Sequence, residues 1–169
     1  MKGVGGFVKL GCLAYLALLG CGGTQFKDRE VSKSDTRYRV GPLTPSWKRI
    51  EVEQNDVAWL HQSEGTLIQV NSRCERSLDL PLMTLTNHLL IGFTDREFIE
   101  QKSVQLDGRE ALRSHIRAKL DGVPRELVIY VLKKNNCVYD FAYVATPGAT
   151  FNQFLADFER FVVGFHTLN

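Results

Sequence analysis

Four histidines and four cysteines are the side chains in this sequence best suited to catalysis, metal binding or covalent modification. The histidines do not cooperate. His61, His88, His115 and His166 are scattered, and no two have the three-to-five spacing that puts imidazoles on one helical face for a metal. No GxSxG elbow, P-loop or GxGxxG occurs, and nothing orders a Ser–His–Asp set. Glu51/Glu53 and Glu97/Glu100 read as solvated acids. With no converging set, the expectation is a non-enzymatic protein with no catalytic residues, no metal and no cofactor. The most unusual polar stretch is Asn71-Ser72-Arg73-Cys74-Glu75-Arg76-Ser77, which leaves a strand and carries a cysteine between charges. Arg73, Glu75 and Arg76 are candidate partner-binding residues, since paired guanidinium groups suit an acidic ligand. The plainer alternative is an ordinary connecting loop.

The cysteines are more informative. Lys2 and Lys9 precede an uncharged apolar run, residues 10–19. About ten residues are too few to span a bilayer, which takes roughly 20, but suit a secretory signal. The run ends in Leu18-Leu19-Gly20-Cys21, which resembles the lipobox of bacterial lipoproteins. That resemblance implies diacylglyceryl attachment to Cys21, cleavage before it and acylation of the new amino terminus. The alternatives are an uncleaved anchor or an ordinary cut near Gly22-Gly23. Each buried CH2 contributes about 0.8 kcal/mol, so one acyl chain holds marginally and two or more hold durably. In lipoproteins of enteric bacteria, Asp after the cysteine favours the inner membrane. Gly22 here implies the outer membrane, facing the periplasm.

Cys12 leaves with the signal, and Cys74 and Cys137 remain. In an oxidising envelope they suggest one disulfide, which would stabilise the body by about 4 kcal/mol through the long loop it closes; two separate buried thiols are the alternative. Removing Lys2 and Lys9 balances the body at 19 basic and 19 acidic residues. With no basic run, nucleic acid is not expected as a partner.

Stepping along the chain, residues 1–20 read as signal, 21–45 as a lipidated flexible tether and 46–169 as one globular domain. Lys27 to Arg39 mixes charges with few apolar residues, and such a segment buries too little to order itself. The body opens with short strands at Trp47–Val52, Val57–Gln62 and Thr66–Val70. A helix follows, capped by Asp79 with Pro81 in its first turn, its stripe Leu82, Leu85 and Leu89 ending at Gly92. Asp107-Gly108, Asp121-Gly122 and Asn135-Asn136 separate strands at 98–106, 111–120, 127–132 and 137–146. Leu127 to Leu132 is continuously apolar, as in a strand covered on both faces. His115 is expected to be exposed. A last helix starts with Thr150 and Gln153 at capping-box spacing. It carries Phe151, Phe154, Leu155, Phe158, Phe161, Val162 and Phe165 on one stripe, which packs on the sheet.

The fold class is therefore α+β, a mostly antiparallel sheet covered by helices. Gly108-Arg109-Glu110-Ala111, Leu120-Asp121-Gly122-Val123, Tyr139-Asp140-Phe141 and Phe158-Glu159-Arg160-Phe161-Val162-Val163-Gly164-Phe165 resemble the PsbP-like α/β/α sandwich group, which includes DcrB-type bacterial lipoproteins. The resemblance covers the last 75 residues or so. It implies the fold and a binding role and transfers no site residue. The leading reading is an envelope lipoprotein that binds a protein partner or assembly. The second is a carrier of a small ligand or lipid, with a cavity near Phe154, Phe158, Tyr139 and Tyr143. The third is a hydrolase, which would require Tyr139, Asp140 and His115 to meet in one cleft.

Overall fold

A computed structural model describes residues 23–53, 55–75 and 79–168. The signal, Cys21, Gly22 and Arg76 lie outside the described residues. Two antiparallel sheets form the frame. The larger has seven strands: β4 (Trp47–Ile50), β5 (Val57–His61), β6 (Thr66–Arg73), β7 (Phe93–Leu106), β8 (Arg109–Leu120), β9 (Val123–Lys134) and β10 (Cys137–Ala145). Their spatial order is β4-β5-β6-β10-β9-β8-β7. The smaller sheet joins β1 (Gln25–Lys27), β2 (Glu30–Ser32), β3 (Arg37–Arg39) and β11 (His166–Thr167), in that order. Helix α1 (Leu82–Leu89) covers one face of the large sheet, and α2 (Ala149–Val163) covers the other.

The three hairpin signals each make a two-residue turn with both residues at positive φ, at Asp107-Gly108, Asp121-Gly122 and Asn135-Asn136. That geometry matches the strand twist and locks a register in which Leu112 faces Val131 and Tyr139 faces Leu132. In β9, Val128, Tyr130 and Leu132 join the α2 core, while Leu127, Ile129 and Val131 join the α1 core. The continuous apolar run thus covers both faces, as its pattern predicts.

Helix α2 buries Phe151, Phe154, Phe158, Phe161 and Val162 against that sheet. Burying each ring contributes about 1.5–3 kcal/mol, which holds the helix in place without a side-chain cap. Thr150 does not cap: it lies within the helix, and Gly148, which has no side chain to cap with, occupies the cap position and donates its own amide to Glu126 at 3.4 Å. Asp79 does not cap α1 either. Pro81 precedes the first turn, and Asp79 pairs with Lys133 at 2.8 Å.

Three further expectations are corrected. Residues 23–45 are not a tether. They contain β1, β2 and β3, and Val31, Tyr38 and Val40 are buried in the main core. Few apolar residues suffice because a strand commits only alternate side chains to the interior. Asp28 and Arg29, both at positive φ, turn β1 into β2. Gly41 then lies against the end of α2. A Cβ there would stand 2.2 Å from the Arg160 carbonyl oxygen, and one on Gly164 would stand 2.3 Å from the Gly41 Cα. The Gly41 amide donates to the Phe161 carbonyl at 2.8 Å. Second, β6 continues through Arg73, so Asn71-Ser72-Arg73 are strand residues. Third, β7 starts at Phe93, ahead of the expected 98, with irregular pairing at Thr94–Glu97 and Phe98–Glu100.

Cys74 and Cys137, 63 residues apart, are joined by a disulfide. The bond ties the end of β6 to the start of β10, next to the paired residues Arg73 and Val138.

Candidate functional site: a polar pocket over Asp140

Register explains how the site arises. Antiparallel pairing sets Asn71 opposite Asp140, Gln69 opposite Ala142 and Arg73 opposite Val138. Paired residues share a face, so Gln69, Asn71, Arg73 and Asp140 all point to the side that carries α1. That helix has eight residues, about 12 Å, and packs over β8 and β9. It leaves the polar row on β6 without a roof. The result is a pocket of about 450 Å³ whose floor is the sheet and whose wall is the C-terminal end of α1 and the turn after it, at His88, Leu89 and Ile91. Glu53 and Asn55 close the far side, and the Asn55 amide donates to Gln69 at 3.0 Å.

Asp140 is 2% exposed, and its Oδ2 has no hydrogen-bond partner among the described residues. Burial pushes its carboxyl up to about 7. Arg73 opposes the shift, the nearby Asp56 carboxylate adds to it, and Lys33 opposes it again. Arg73 lines the same pocket, and its Nε is also buried without a partner among the described residues. No ion pair joins the two groups within the described residues. The remaining orphan of this kind, Thr66 Oγ1, lies away from the pocket lining.

A second buried acid shows the contrast. Asp56 accepts from the Tyr38 hydroxyl at 2.7 Å and from the Ser72 hydroxyl, and it pairs with Lys33 at 2.8 Å. Lys33 also donates to the Ser72 carbonyl at 2.7 Å. Burial and the Asp56 charge drive the Tyr38 phenol well above its ordinary value, so it remains a donor. Asp56 is saturated, as a structural acid should be; Asp140 is not.

The other predicted residues fall elsewhere. Arg73 belongs to the pocket rather than to a projecting loop, and Glu75 is exposed beyond the disulfide. Beside the disulfide lies an open groove of about 690 Å³, lined in part by Arg109, Lys133, Lys134 and Asn136. Lys134 is held by Asp107 at 2.7 Å. Phe154, Phe158, Tyr139 and Tyr143 pack ring against ring, with Tyr143 and Phe158 stacked at 5.5 Å and Trp47 edge-on to Phe154 at 5.9 Å. The space expected to hold a carried ligand is filled by side chains. Tyr139, Asp140 and His115 do not meet. Tyr139 faces the α2 core and Asp140 faces the α1 side. His115 stacks on Phe151 at 5.0 Å and contacts Glu126 at 2.8 Å, so it is not the exposed residue its strand suggested. Its partner ring sits on α2, a long-range contact that strand alternation does not reveal. Among the described residues, no group of three or more His, Cys, Asp or Glu side chains is placed to hold a metal, and no helix is long and apolar enough to cross a membrane.

The sequence alone does not single out this pocket. Its trace in the sequence is an acid at a position that strand period assigns to an apolar face, with Val138, Ala142 and Val144 on either side.

By sequence, the chain matches no family model and no curated protein. By shape, it is similar to the solution structure of cyanobacterial PsbP (CyanoP) from Synechocystis sp. PCC 6803, at 16% identity and a TM-score of 0.60, covering 94% of this chain and 100% of that one. It is also similar to LpqN of Mycobacterium tuberculosis, described as involved in cell envelope biogenesis, at 10% identity and a TM-score of 0.54, covering 79% of this chain and 86% of that one. A Bacteroides thetaiotaomicron protein matches at 9% identity and a TM-score of 0.55, over 78% of this chain and 45% of its own. Two helices on an antiparallel sheet, in an arrangement shared with CyanoP across nearly the whole chain, identify the α+β architecture as PsbP-like.

Proposed function

We propose that this chain is a bacterial envelope lipoprotein, anchored through acyl chains on Cys21 to the outer membrane and facing the periplasm, whose PsbP-like domain binds a protein partner. The observation that carries the binding reading is the contrast between interior and surface. The core between sheet and α2 is filled by aromatic rings, which removes the expected chamber for a lipid. The groove beside the disulfide is open and lined by charges of both signs, Arg109, Lys133, Lys134, Glu75 and Asp79, with Lys133 paired to Asp79 and Lys134 to Asp107. A protein partner whose surface carries charges of both signs suits it, because Arg109 can take a carboxylate and the groove's acids a cation through charge-assisted hydrogen bonds. The anchoring reading rests on Leu18-Leu19-Gly20-Cys21.

Site-specific photocrosslinking in intact cells tests the binding surface. A photoreactive residue in place of Arg109 should give one discrete protein adduct. The same residue in place of Val163, exposed on the outer side of α2, should not. Equal patterns from both positions, or no protein adduct and a co-purifying lipid in mass spectrometry, would overturn the reading in favour of a carrier.

A further inference from the structure

A buried acid and a partly buried guanidinium that share a pocket usually pair with each other, because leaving either group unmatched costs stability. Here Asp140 Oδ2 and Arg73 Nε both lack partners among the described residues, and the two residues line the same 450 Å³ space. The remaining lining sorts by chemistry. Asn71, opposite Asp140 in register, offers both a donor and an acceptor. Gln69 is fixed by its bond from Asn55. Leu89 and Ile91 provide an apolar wall. An acceptor oxygen, a cationic donor and an apolar wall in one pocket of ligand size together describe a binding site for a small molecule with a charge of each sign.

We propose that the pocket over Asp140 binds a small zwitterion of the amino-acid type, with its ammonium group on Asp140, its carboxylate on Arg73 and its side chain against Leu89 and Ile91. A plain anion is disfavoured by Asp140 and Glu53, and a plain cation by Arg73; His88, at the end of α1, is the other titratable side chain that lines the pocket. Asp56 is paired with Lys33, and the two act on Asp140 in opposite directions. The inference stands apart from the anchoring and partner readings, since it uses neither Cys21 nor the groove at the disulfide.

Binding is coupled to a proton. Empty, Asp140 is mostly protonated at pH 6, because its carboxyl sits at about 7. An ammonium group at 3 Å or so favours the carboxylate, so binding should expel a proton below pH 7. The test is calorimetry on the full chain in detergent, with the free amino acids titrated singly against glucose and inorganic phosphate as controls. It is run at pH 6 in two buffers of different ionisation heat. The expected result is saturable binding of at least one amino acid, with buffer-dependent heat that reports proton release. Asp140→Asn should abolish the proton release and weaken binding by more than about tenfold. Arg73→Gln should weaken binding similarly while leaving the proton release intact, and it keeps the test valid should Asp140→Asn fail to fold. Heat from glucose or phosphate alone, no heat from any amino acid, or binding unaltered in both variants would overturn the proposal.

Discussion

Replacing Asp140 with Asn removes a titrating proton from the interior while keeping the side-chain shape, so its effect should depend on pH in a way that few substitutions do. The carboxyl stands at about 7 in the folded chain against an ordinary 3.8. The folded state therefore holds this proton more tightly than the unfolded chain does. Stability is greatest below the unfolded value, declines as pH rises through 4 to 7, and has lost the whole contribution above about 7. A shift of roughly three units at 1.36 kcal/mol each sets the loss at up to about 4 kcal/mol. Asn carries no such proton. The stability of Asp140→Asn minus that of the parent should thus rise by up to about 4 kcal/mol between pH 4 and pH 8. The other charges near the site are Arg73, Lys33, Asp56, Glu53 and His88, and all are retained in the variant, so the difference isolates Asp140. Urea unfolding at fixed ionic strength, with the disulfide intact, measures it through linear extrapolation at each pH. Two curves that stay parallel from pH 4 to 8 would refute the claim that this carboxyl is buried without compensation.

Other outcomes follow from the packing. Gly41→Ala would push a methyl group into the Arg160 carbonyl, 2.2 Å away, and should cost about 1–3 kcal/mol, seen as a lower thermal midpoint. Cys74→Ser should cost about 4 kcal/mol, since the disulfide closes a 63-residue separation; reductant should lower the midpoint of the parent and leave that of the variant unchanged. Asp107 is held at about 2, with burial resisted by Lys134, the Thr167 amide and hydroxyl, and His166. Its contribution is present above pH 3.8 and is lost as pH falls through 2, so Asp107→Asn should flatten the acid limb of the stability curve. Cys21→Ser should abolish incorporation of labelled fatty acid and leave uncut precursor; membrane attachment unchanged by that substitution would count against the anchor.

Strand period and turn chemistry made most of the large sheet legible. Asp107-Gly108 and Asp121-Gly122 are local signals that need no tertiary partner, and the phenylalanine stripe of α2 is long enough to outweigh any local ambiguity. Residues 23–40 were illegible because each short strand turns a single apolar side chain inward, too weak a pattern to stand out among the charges. Their order comes from elsewhere: β11 pairs with β3, and Tyr38 packs edge-on against Tyr139 at 5.4 Å. The pocket was hidden for a related reason. Asp140 departs from the apolar face of β10, but its meaning depends on Arg73 and Asn71, which lie far away in sequence and become neighbours through register. Their strand also runs three residues past its last aliphatic side chain, where polar residues continue the alternation.

Under the proposed acylation of Cys21, the early onset of structure changes the geometry at the membrane. With residues 25–40 folded into the body, the chain between an acylated Cys21 and the first strand comprises residues 22–24. Fully extended, the four steps from Cys21 to Gln25 reach about 14 Å, whereas a free leader through residue 45 would reach roughly 85 Å. On such a short leash the β1–β2 hairpin would ride within a headgroup's reach of the lipid, and whatever docks on this protein would have to meet it at the bilayer surface rather than deep in the periplasmic space.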